Sequence, residues 1–95
     1  MIIDMHKLEA ITSILLSKLR ESNGNNIELP HDYYWDIALD DLYNPYQEPT
    51  SLMLGQLSDD WEDVQKFCES DDSIPHDLKR VAAILTALSQ STWQL

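Results

Sequence analysis

Apolar residues recur along this chain with two different periods. Met5, Leu8, Ile11, Leu15 and Leu19 follow one another at three- and four-residue spacing, which puts them on one stripe of a helix over about residues 4–22. Ile14 and Leu16 widen that stripe, and Lys18 and Arg20 in the last turns suit the negative end of the helix dipole. Ser22-Asn23-Gly24-Asn25-Asn26 ends it, with Gly24 free to take a positive φ. Near the other end, Ile74, Leu78, Val81, Leu85 and Leu88 repeat the helical spacing over about residues 74–90. Pro75 is tolerated in the first turn there, Ser73 can cap it, and Trp93 falls in the tail. A third helix is predicted over 58–70. Ser58-Asp59-Asp60 reads as its start, with Leu57, Trp61, Val64 and Cys68 on one face and Phe67 beside it. Leu15, Trp61, Leu78 and Leu85 are expected to be buried together.

The middle is ambiguous. Ile27-Glu28-Leu29 alternates like a short strand stopped at Pro30. Tyr33, Trp35, Ile37 and Leu39 also alternate, while Trp35, Leu39, Leu42 and Tyr46 fit a helix for which Asp32 could be the cap. Aromatic density favours an extended piece through about Ile37, followed by irregular chain or a short helical turn. Ser51-Leu52-Met53-Leu54 reads either as a strand or as the front of the helix that follows. The predicted fold class is mainly α: a three-helix single domain over 1–95, with an irregular, aromatic-rich central segment and room for a small two-stranded β piece.

Composition adds little until charge is considered. The 95 residues are 43% hydrophobic and 24% charged, ordinary values for one globular domain. Seventeen acids against six bases give a net charge of −11, and the acids are concentrated. Residues 24–78 hold fourteen acids and one base, Lys66, whereas residues 1–23 are balanced. Such a surface repels phosphate backbones and anionic membranes, so neither direct nucleic-acid binding nor membrane association is expected. It favours a basic protein partner. Cys68 is the single cysteine, and the N-terminal residues carry no basic stretch followed by an apolar one, so a cytoplasmic protein is predicted.

No chemistry-bearing motif stands out. His31-Asp32 and His76-Asp77 lack the further ligands zinc requires. Asp59-Asp60-Trp61-Glu62-Asp63 and Glu69-Ser70-Asp71-Asp72 lack the Gly and the closing Glu of a calcium loop. Cys68 on an apolar face would be inert, and neither a nucleophile elbow nor a phosphate-cradling loop is present. The expectation is therefore no enzyme, no cofactor and no metal.

One cluster is unusual. Tyr33, Tyr34, Trp35, Tyr43 and Tyr46 fall within fourteen residues, interleaved with Asp32, Asp36, Asp40, Asp41 and Glu48. Rings of this kind either close a small core or anchor a protein interface that carboxylates steer. Taken as an interface, the candidate partner-binding set is Tyr33, Tyr34, Trp35, Asp36, Asp40, Asp41, Tyr43 and Tyr46.

The string Gly55-Gln56-Leu57-Ser58-Asp59-Asp60-Trp61-Glu62, together with Glu28-Leu29-Pro30, Asp32-Tyr33-Tyr34-Trp35 and Glu48-Pro49-Thr50, resembles a family of small single-domain bacterial proteins of unknown function. The resemblance covers most of the chain after the first helix. It implies a stand-alone bacterial protein and transfers no catalytic residue. The function expected from charge and rings is a non-enzymatic acidic interaction protein, an immunity- or antitoxin-like inhibitor of a basic site. Two alternatives stand beside it: an assembly module that self-associates through its apolar helices as a homodimer, and a nucleic-acid mimic aimed at a DNA-binding protein.

Overall fold

The computed structural model describes residues 1–66 and 73–92. Among these the chain forms α1 (Met5–Asn23), β1 (Tyr33–Ile37), α2 (Leu39–Leu42), β2 (Leu52–Gln56), α3 (Leu57–Val64) and α4 (Ile74–Thr92). The class is mainly α with a small antiparallel β piece, but with four described helices rather than three. The additional one, α2, is a single turn where two periods compete. The chain divides into two units, one built around Met1–Glu28 and the other spanning Leu29–Ser91.

In the first unit, α1 starts where Asp4 accepts a hydrogen bond from the backbone N–H of Lys7 at 3.1 Å. This is an N-cap that supplies an acceptor to a free donor of the first turn. The helix ends at Gly24, which takes φ 83° and donates to the Arg20 carbonyl at 2.7 Å. Ile27-Glu28-Leu29, expected to be a strand, is not in a ladder. Among the described residues no strand pairs with it, and an isolated alternating tripeptide has no ladder to hold it extended.

In the second unit, β1 and β2 pair antiparallel in the register Tyr33↔Gln56, Trp35↔Leu54 and Ile37↔Leu52. The alternation read from Tyr33 to Ile37 is therefore a strand, and Leu52–Gln56 is its partner. The fourteen-residue connection holds α2 and a turn fixed by Asp41, whose carboxylate accepts from the Thr50 backbone N–H at 3.3 Å. β2 runs directly into α3. That helix begins one residue before the predicted start at 58, its N-cap is Gln56 rather than Ser58, and its carboxylate acceptor comes from far away. Asp32 accepts from the Ser58 N–H at 2.7 Å and the Ser58 hydroxyl at 2.9 Å, and its backbone carbonyl accepts from the Leu57 N–H at 2.7 Å. Asp32 thus caps α3 rather than a helix over 33–46. Asp59 and Asp60 occupy the first turn of α3, where the dipole favours them. The expected continuation of α3 to Ser70, with Phe67 and Cys68, lies outside the described residues, as does Trp93.

Burial corrects the expected core. Among the described residues only Leu57, at 6% exposure, and Asp77 are buried. Leu15, Trp61 and Leu78 are exposed and Leu85 is half-buried. Helical periodicity assigned these residues to one face of each helix correctly, but a periodic face states only what is available for cover and not that cover exists. Asp77 is held by ions and hydroxyls: Arg80 Nη1 lies 3.0 Å from its Oδ1 and the Ser73 hydroxyl donates to its Oδ2 at 2.9 Å. Arg80 also pairs with Asp63 at 3.5 Å, which ties α4 to α3.

Candidate functional site

A two-stranded sheet presents two faces, and here they differ in kind. Tyr34, Asp36, Met53 and Gly55 point to one side, and Tyr33, Trp35, Ile37, Leu52, Leu54 and Gln56 to the other, because alternate residues of paired strands share a face.

The first face is tied down by polar contacts. The Tyr34 ring packs against Gly55, where a Cβ would clash with the ring around its Cζ. This close approach is available to glycine alone and lets the Tyr34 hydroxyl reach Asp60 on α3, donating at 2.6 Å. Burial, reinforced by the Asp60 carboxylate and the nearby charge of Asp36, pushes the phenol well above its ordinary pKa, so it stays a donor. Asp36 is paired with Lys79 of α4 at 2.9 Å. A cleft of about 430 Å³ opens between β1 and α4, and Tyr33, Tyr34 and Trp35 all line it together with Leu57, Ala83 and Thr86.

At the start of β1, Asp32 gathers the end of β2 and the start of α3. Its Oδ2 accepts from Gln56 Nε2 at 2.8 Å in addition to the Ser58 bonds. The Gln56 amide and then the Ser58 backbone N–H favour the ionised carboxylate and hold its pKa below the ordinary value.

On the second face Ile37 and Gln56 are half-buried and four other side chains are exposed. Trp35 is 67% and Leu54, its cross-strand partner, 66% exposed, and Tyr33 and Leu52 beside them are also exposed. The connection leaving this sheet at Ile37 carries Tyr43 and Tyr46, exposed at 81% and 93%. Tyr46 belongs to a turn in which its backbone N–H donates to the Asn44 side chain at 3.2 Å.

Each residue of the sequence-derived set can now be placed. Tyr33 and Trp35 share the second face and are exposed, and Tyr43 and Tyr46 are exposed in the connection. Tyr34 and Asp36, alternating with them, are committed to Asp60 and Lys79. Asp40 is exposed, and Asp41 is half-buried and accepts from Thr50. The structure adds Leu52 and Leu54, which sequence reasoning left out because their cross-strand register cannot be read from either strand alone. Asp32 was also missed as a structural tie. Its partners lie 24 and 26 residues away with no spacing signature.

Among the described residues no group of three or more His, Cys, Asp or Glu is placed to hold a metal ion, and no helix is long and apolar enough to cross a membrane. The fold and this surface define a small, mainly α, acidic chain whose sheet exposes Tyr33, Trp35, Leu52 and Leu54. Comparison with protein-family models, curated proteins and solved structures finds no match.

Proposed function

We propose that this chain is a non-enzymatic acidic interaction protein, an immunity- or antitoxin-like inhibitor that docks on a basic site of a partner protein. The observation that carries the reading is a group of exposed aromatic and aliphatic side chains on one sheet face. Tyr33, Trp35, Leu52 and Leu54 stand together and exposed, in a segment whose carboxylates far outnumber its bases. Tyr and Trp anchors supply contact energy, and surrounding carboxylates draw a basic partner in. The alternation of β1 supports a division of labour: Tyr34 and Asp36 hold the strand in place, and Tyr33 and Trp35 are offered outward.

The full chain, immobilised, is expected to capture a basic partner at low salt, with association slowing as salt screens charges beyond about 8–10 Å. Trp35→Ala should cost at least about 2 kcal/mol of binding, read as a roughly thirtyfold faster dissociation. Asp40→Asn with Glu48→Asn should slow association and leave dissociation nearly unchanged. Binding that is indifferent both to salt and to Trp35→Ala rejects this reading.

A further inference from the structure

The apolar seam of α1 is palindromic. Met5, Leu8, Thr12, Leu16 and Leu19 lie seven and four residues to either side of Thr12, and at about 100° per residue they fall within one narrow stripe. Met5, Leu8, Thr12 and Leu16 line a shallow groove along the helix, together with Glu9, Ser13, Ser17 and Arg20. Met5, Leu8 and Leu16 are exposed, as are Ile11 and Leu15 on the adjoining flank. The one polar residue at the centre, Thr12, spends its hydroxyl on the Leu8 carbonyl at 2.8 Å, which leaves its small methyl side to meet a neighbour. An isolated amphipathic helix of nineteen residues is marginal in water, so this seam gains from cover.

We propose that a second copy of this chain covers it, with two α1 helices pairing antiparallel about a twofold axis at Thr12. Under that operation Met5 meets Leu19, Leu8 meets Leu16 and Thr12 meets itself, which is the self-complementarity an isologous contact needs. Glu9 and Arg20 lie on the same flank in opposite halves of the helix, so the operation brings Arg20 of each copy toward Glu9 of the other, and the helix dipoles run opposed. Charge also selects this surface. Of the net −11, the Leu29–Ser91 unit holds nearly all, while residues 1–23 are balanced. Two α1 helices that pair bring together segments without net charge, and added salt relieves repulsion between the acidic chains.

Sedimentation of the full chain tests this. The expected result is a reversible species of twice the 11.0 kDa chain mass, strengthened by salt. That trend is opposite to the one expected for capture of a basic partner, so the two proposals fail separately. Leu8→Glu with Leu16→Glu should weaken dimerisation at least tenfold. In a Cys68→Ser background, Thr12→Cys should oxidise to a covalent dimer, while Lys18→Cys, on the back of the helix, should not. The crosslink reads the geometry even if the double variant disturbs the helix. A monomer at all concentrations and salts, a dimer untouched by the double variant, or Lys18→Cys crosslinking in preference to Thr12→Cys overturns the proposal.

Discussion

α1 and α4 are both nineteen residues long and both amphipathic, yet they are anchored differently. α1 is closed by its own neighbours: Asp4 caps one end, Gly24 the other, and the side-chain hydrogen bonds within it are local. α4 is tied to distant parts of its unit through charged groups, Lys79 to Asp36 on β1 and Arg80 to Asp63 on α3, with Asp77 buried beneath them. Helical period is therefore a poor guide to anchoring. What distinguishes the two is a few charged residues in the first turns of α4 that find carboxylates on other elements, while α1 keeps its apolar stripe open.

The contrast can be broken at its strongest point first. Leu57→Ala removes the one buried aliphatic side chain among the described residues, at the joint of β2 and α3, and should cost about 2–4 kcal/mol by urea unfolding. Leu15→Ala, on the open stripe of α1, should change the dilute chain by less than about 0.5 kcal/mol. Equal effects would erase the distinction between the two regions.

Gly55→Ala comes next. The new Cβ displaces the Tyr34 ring and with it the bond to Asp60, so a loss of about 1–3 kcal/mol is expected. In the Tyr34→Ala background the same change should cost much less, because the clash is gone. Additive losses would show that the ring does not pack against Gly55.

The smallest expected effect is on pH dependence. The pKa of Asp32 is lowered from 3.8 in the folded chain, so its contribution is fully present above that value and is lost as pH falls through the folded-state value. The urea midpoint should drop on acidification below about pH 4, and Asp32→Asn should flatten that drop. An unchanged acid limb in Asp32→Asn would assign the loss to other carboxylates.

Much of this architecture was legible in the residues. The two long helices, the extended run to Ile37 and the helical start near Ser58 all follow from period and local chemistry. What could not be read was anything set by register. Tyr34 and Trp35 are adjacent and similar in composition, and only the pairing with Gly55 and Leu54 sends one inward and the other outward. Asp32 looked like the cap of the next helix because a local partner is the simplest expectation, and its actual partners become neighbours only once β1 and β2 pair. The buried set was overstated for the same reason: Trp61 and Leu78 have the right period, yet no element covers them among the described residues.

The reach of Asp32 also bears on the order of events during folding. A helix such as α1 forms from local contacts within about a microsecond. The Asp32 bonds to Gln56 and Ser58 require a chain search across two dozen residues and the prior alignment of both strands, and contacts of such sequence separation form more slowly. α1 thus samples its helical state many times over while the acidic unit is still searching for its register.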